Sequence, residues 1–148
     1  MSEAKLIVKG VSISYRNFKL SHINFNLDQG DILGLIGGSG SGKSTIIKSI
    51  VGIKMPESGS IVFSVDGKEM PLNDYLGYSP QQNSLYPYLT VEENIMTFSK
   101  LYNIDDYEAS NRMDALLKRH NLNNHRLKRI NQLSGGMKKR VDLATTLI

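Results

Sequence analysis

A glycine-rich run, Gly37-Gly38-Ser39-Gly40-Ser41-Gly42, leads directly into Lys43-Ser44-Thr45. Written as Gly37-x-x-x-x-Gly42-Lys43-Ser44, it has the spacing of a loop that wraps a chain of phosphates. The residue types follow from that chemistry. Main-chain N–H groups turn inward onto an anion only through φ values that glycine adopts at little cost. A helix beginning at Lys43 aims the positive end of its dipole at the same place. Lys43 suits β- and γ-phosphate oxygens, and the Ser44 hydroxyl suits Mg²⁺. A plain glycine turn between strand and helix is the competing account, but placement here agrees as well as spelling.

Ninety residues beyond Ser44 lies Leu133-Ser134-Gly135-Gly136-Met137-Lys138-Lys139-Arg140. Ser134 reads as the N-cap of a helix, and a capped helix start is also an anion site. The chain carries 18 Lys and Arg against 14 Asp and Glu, a net charge of +4. Eight of those bases, with no acid among them, fall between Leu116 and Val141, which leaves the rest of the chain at −4. The excess is therefore local, and a nucleic-acid partner is not expected from it. Lys138, Lys139 and Arg140 read as a solvated helix face. His22, His120 and His125 have no second ligand at metal spacing.

These motifs need elements to hold them. Leu6 to Tyr15 and His22 to Leu27 read as strands, the second with Ile23, Phe25 and Leu27 on one face. Ile32-Leu33-Gly34-Leu35-Ile36 is a continuous apolar run, as expected for a strand buried on both faces ahead of the phosphate loop. Lys43 to Val51 can form one helix, Ile61 to Val65 another strand, and Asp66-Gly67 a hairpin turn. From Thr90 the period changes to helical. Thr90-Val91-Glu92-Glu93 fits a capping box, followed by a stripe of Val91, Ile95, Phe98 and Tyr102. Tyr107 to His120 predicts a helix burying Ala109, Met113, Leu116 and Leu117, and a last helix after Ser134 buries Met137, Val141, Ala144 and Ile148.

The composition, 40% apolar and 22% charged over 148 residues, is that of a globular chain. No cysteine is present, so thiolate metal sites, disulfides and cysteine nucleophiles are excluded. The chain has no run of 18 apolar residues and no apolar leader after Met1. A soluble intracellular protein is the expectation.

Together, Gly37 to Thr45 and Leu133 to Met137 resemble the Walker A and signature motifs of the ATP-binding-cassette (ABC) ATPases. Leu76-Gly77-Tyr78-Ser79-Pro80-Gln81 resembles that family's Q-loop, and Leu85 to Asn94 the segment that follows it. Tyr15, 22 residues before Gly37, sits where the family keeps an aromatic residue on adenine. The resemblance implies an α/β P-loop NTPase core with an antiparallel β subdomain and a helical signature subdomain. It divides the chain into residues 1–89, β-rich with the phosphate loop, and 90–148, helical.

The same resemblance implies roles. Tyr15 would stack on the base. Gly37, Gly38, Ser39, Gly40, Ser41 and Gly42 would cradle the phosphates, with Thr45 near the α-phosphate. Lys43 and Gln81 would serve catalysis, and Ser44 and Gln81 the Mg²⁺ shell. Ser134, Gly135 and Gly136 would close on the γ-phosphate of ATP held by a second, head-to-tail domain. The implied activity is ATP binding and hydrolysis coupled to transport by a separate membrane-embedded permease, at the inner face of the membrane. The Leu-Ser-Gly-Gly-Met-Lys spelling points to export rather than import, and the alternative is a non-transport ABC ATPase acting on ribosomes or nucleic acid. The family's Walker B strand, catalytic glutamate and switch histidine are not found before Ile148. The expectation is therefore the N-terminal portion of a domain of about 200–250 residues, one that binds nucleotide without efficient hydrolysis.

Overall fold

The computed structural model describes residues 3–15 and 18–148. The chain divides into two compact units, Met1–Leu76 and Gly77–Ile148. The first is built on β1 (Ala4–Tyr15), β2 (Phe18–Asp28), β3 (Ser58–Val65) and β4 (Lys68–Glu69), with helix α1 (Lys43–Ile50). The sheet order is β2-β1-β3-β4, and every pairing is antiparallel. β3 and β4 meet through Asp66-Gly67, with Val65 opposite Lys68. Both turn residues have positive φ (51° and 73°), the geometry that lets a two-residue hairpin match strand twist.

β1 changes phase in mid-strand. Val8 is buried, and so are Val11 and Ile13, which two-residue alternation alone would not allow. The register slips between Val8 and Val11 against β2, and between Lys9 and Ser12 against β3. The bulge inserts a residue and turns the odd positions inward. Gly10 and Gly59 face each other there: a Cβ on Gly59, whose φ is +86°, would lie 2.4 Å from the Gly10 carbonyl carbon. His22 takes up the slip on β2, with φ 55° and its amide donating to the Ser12 hydroxyl at 3.2 Å. Val8, Val11, Ile13 and Ile46 form the resulting core, with Leu20, Ile23 and Phe25 against it.

Ile32–Ile36 departs from expectation. It forms no strand, and Ile32 and Ile36 are each 98% exposed. A strand exists only through ladder hydrogen bonds to a neighbour, and none of the four described strands pairs with this run.

The second unit packs α2 (Val91–Leu101), α3 (Asp106–Arg119) and α4 (Gly135–Leu147). α3 buries Ala109, Met113, Leu116 and Leu117, as its period predicts. Val141, Ala144 and Ile148 are buried on the α4 side, with Met137 partly covered. On α2 the stripe is narrower than expected. Val91 and Ile95 are buried, but Tyr102 is 54% exposed, while Asn94 and Ser99 take inner positions. Residues 77–89 belong to the same unit as these helices: Leu85 lies in the helical core, and the Leu89 and Pro87 carbonyls accept the amides of Ile130 and Asn131.

Asn94 explains much of that packing. Fully buried, it accepts from the Tyr86 amide (2.8 Å) and donates to the carbonyls of Tyr86 (3.1 Å) and Thr90 (2.8 Å). Replacing it by Ala leaves main-chain groups without partners, so Asn94→Ala should cost about 2 kcal/mol in urea unfolding. The capping box forms as expected, with Thr90 Oγ1 accepting from Glu93 and Glu93 Oε2 accepting from the Thr90 amide at 2.7 Å. That amide holds the Glu93 carboxyl below its ordinary value of 4.5. A carboxyl lowered in the folded state stabilises above its unfolded pKa and loses the effect as pH falls through the folded one. The gap in urea midpoint between wild type and Glu93→Gln should therefore be open at pH 7 and close as pH falls below the ordinary carboxylate range.

Candidate functional site

Each helix start leaves main-chain N–H groups needing an acceptor. α2 receives one from Thr90, α3 from Asp105 and α4 from Ser134. α1 differs. Its N-cap is Gly42, in a left-handed conformation (φ 95°), with no side-chain cap and no acid in the first turn. Among the described residues, the amides of Gly40, Gly42, Lys43 and Ser44 have no acceptor. Gly40 also has positive φ, 77°, so the loop turns twice through conformations that glycine tolerates best. The result is a helix terminus carrying its full partial positive charge.

Lys43 reinforces that charge. Its ammonium folds back over the loop, donating to the Gly37 and Gly38 carbonyls at 2.7 Å each and to Ser41 Oγ at 3.2 Å. All three ammonium donors are thus engaged next to the loop's inner surface. In front lies a cavity of about 370 Å³ lined by Tyr15, Phe18, Gly40 to Thr45 and Lys48. Of the residues singled out from sequence, the structure brings Tyr15, Gly40, Ser41, Gly42, Lys43, Ser44 and Thr45 to one cavity. Gly37, Gly38 and Ser39 sit in the same loop without lining the cavity, though the Gly37 and Gly38 carbonyls hold the lysine that does.

Tyr15 is 52% exposed, with Lys54 Nζ 5.0 Å from its ring centroid. It is therefore open to stacking and already engaged with a cation. Two lining residues were missed by the sequence reading. Phe18 is the register partner of Tyr15, which becomes visible only once the strands are paired. Lys48 stands four residues after Ser44, on the same helix face; that spacing was available as a signal.

The second unit carries the other candidates. Ser134 Oγ accepts from the Met137 amide at 3.3 Å. A Cβ built on Gly135 or Gly136 would meet nothing within 4 Å, and no acid stands in the first turn of α4. Gln81 lies in a bend, exposed, its side chain without a hydrogen bond among the described residues. The basic run is not a simple solvated face. Lys139 turns toward Ser79, Pro80 and Asp142, and Arg140 donates to the His120 carbonyl at 3.2 Å. Burial, with Arg119 and Arg140 nearby, lowers the His120 pKa.

A glycine loop, an uncapped helix start and a lysine meet at one cavity, the arrangement expected of a phosphate-binding loop. The comparisons with known proteins place the family. The model of the family described as "ABC transporter" matches residues 20–148, and the chain belongs to that family. It is 35% identical over 145 residues to a probable sulfate/thiosulfate import ATP-binding protein, CysA, of Chlorella vulgaris, covering 96% of this chain and 61% of the relative. It is 34% identical over 149 residues to a Nod factor export ATP-binding protein I of Burkholderia thailandensis, covering 97% of this chain and 44% of that one. Among solved structures, cbiO1 from Clostridium perfringens, part of the ABC transporter complex cbiONQ, matches with a TM-score of 0.80 and 28% identity, covering 96% of this chain and 60% of that chain. The chain thus spans about 60% or less of the length of these relatives.

Gly42 offers the sharpest test of the loop geometry. A Cβ there would lie 2.6 Å from Phe18 Cζ and 2.8 Å from Leu20 Cδ1, on a backbone that L residues rarely adopt. Gly42→Ala should lower unfolding stability by about 1–3 kcal/mol. An unchanged urea midpoint would show that the left-handed start is not required.

Proposed function

We propose that this chain binds ATP at the loop preceding α1 and that, in the protein it belongs to, this binding and hydrolysis drive transport through a membrane-embedded partner. The observation that carries the reading is the α1 start, where acceptor-free amides and the Lys43 ammonium converge on one cavity. A polyanion would supply the acceptors those groups lack. Lys43 would exchange carbonyl partners for β- and γ-phosphate oxygens, Thr45 would lie near the α-phosphate, and Tyr15 would offer a face to the base.

The donor set fits Mg²⁺ in one manner only. Among the described residues no group of three His, Cys, Asp or Glu could hold a metal, whereas Ser44 lines the cavity and its hydroxyl makes no hydrogen bond there. The neutral oxygen of Ser44 would suit an ion that takes its remaining ligands from phosphates and water, and the family resemblance would add Gln81 to that shell. When bound, the ion would neutralise charge on the β- and γ-oxygens. Ser134, Gly135 and Gly136, at an open helix start, would meet the γ-phosphate of nucleotide held by a second, head-to-tail domain.

We favour export, supported by the Leu-Ser-Gly-Gly-Met-Lys spelling and by the relative named for Nod factor export; the CysA relative is named for import. No described helix is long and apolar enough to cross a membrane. The direct test is Lys43→Ala in the full-length protein. Loss of charge-assisted bonds worth about 1.5–3 kcal/mol predicts roughly 10- to 100-fold weaker MgATP binding by calorimetric titration. Affinity unchanged by the substitution would overturn the reading.

A further inference from the structure

The segment carrying Gln81 is fastened to α4 on both sides. Before it, the Lys139 ammonium donates to the Pro80 carbonyl at 2.5 Å and to the Ser79 hydroxyl at 2.6 Å. The Ser79 hydroxyl in turn donates to Asp142 Oδ2. After it, the Ser84 amide donates to Asp142 Oδ1 at 3.0 Å. Lys139 and Asp142 pair with each other at 3.1 Å, three residues apart on one helix face. Asp142 is 2% exposed, so both its oxygens spend their hydrogen-bonding capacity on this loop and on Lys139. Gln81, Gln82 and Asn83, between the two anchors, are exposed and make no hydrogen bond among the described residues.

A carboxylate this buried is costly without partners, and its bonds are correspondingly stiff. Had stability been its only benefit, an apolar side chain would serve as well. What the pair adds is geometry. Lys139 stands five residues beyond Ser134 on one rigid helix, roughly 7.5 Å along the axis. A loop pinned at residues 79–80 and 84 must follow whatever displaces the start of α4.

We infer that Lys139 and Asp142 are positioning residues that lock the Gln81 loop to α4, so that Gln81 and Ser134 to Gly136 move as one body. The inference rests on the reading above, in which Gln81 serves the metal and Ser134 to Gly136 the γ-phosphate. Through this lock, contact at the α4 start sets where Gln81 stands.

Two measurements on the full-length protein test it, using Lys139→Met, whose half-exposed site tolerates an apolar chain, beside Asp142→Asn. Hydrogen exchange without nucleotide should show the Ser84 amide exchanging at least 10-fold faster in either variant, with the Glu93 amide at the α2 cap unchanged. Mg²⁺ titration at saturating ATP should then show about 10-fold weaker metal dependence for Lys139→Met and for Gln81→Ala. The double variant should be no worse than either single one, because both act through the same side chain. Lys139→Arg, which keeps donors, should restore both readouts. Unchanged Ser84 exchange, or additive losses in the double variant, would overturn the inference. Wild-type protein that fails to bind MgATP would instead overturn the proposed function.

Discussion

An N–H group taken out of water has to find an acceptor, and the first turn of a helix concentrates several of them. α2, α3 and α4 solve this locally, through Thr90, Asp105 and Ser134. α1 does not, because Gly42 has no side chain to offer and Lys43 brings a further positive charge. The unit around it is arranged to hold that unsatisfied terminus in place. Ile46, on the inner face of α1, packs into the core with Val8, Val11 and Ile13, while Phe18 and Leu20 crowd the only space a Cβ at residue 42 could occupy. The sheet fixes the helix, the helix fixes the loop, and the loop presents amides to the cavity.

The helical unit depends on buried polar side chains as much as on its apolar core. Asn94 and Asp142 are both essentially inaccessible, and both bind main chain of the segment that precedes α2. Hydrophobic contact alone is non-directional and would let that segment slide over the helices. Directional bonds from two interior residues give it a single path.

Much of this architecture was legible because local physics decides it. The α3 stripe, the Thr90–Glu93 box, the Asp66-Gly67 hairpin and the Ser134 cap each depend on residues within a few positions of one another, and each appears as read. Other features needed partners distant in sequence. The phase change in β1 comes from two neighbouring strands at once. Tyr102 continues the α2 period, yet no element covers it there, while Asn94 is drawn inward by Tyr86. Ile32–Ile36 has the composition of a buried strand and lacks the neighbour that would make it one. Residue spacing raised the phosphate loop and the α4 start as candidates and the family resemblance raised Tyr15, but neither raised Phe18 or Lys48, which line the cavity once the strands pair and the helix winds.

The amino-acid sequence by itself determined which chemistry was available: a glycine loop able to turn its amides inward, a lysine and a hydroxyl next to it, and a second helix start of the same anion-favouring kind. These are properties of residue type and short spacing, and they survive any packing that allows the helices to form. Tertiary structure decided which partners distant in sequence each polar group met. It took Lys139 out of a basic surface run and gave it to Asp142 and Pro80, and it left the amides at α1 open. The reason is physical: whether a polar group is satisfied depends on what stands within about 3 Å of it, and that distance is set by the fold rather than by the order of residues along the chain.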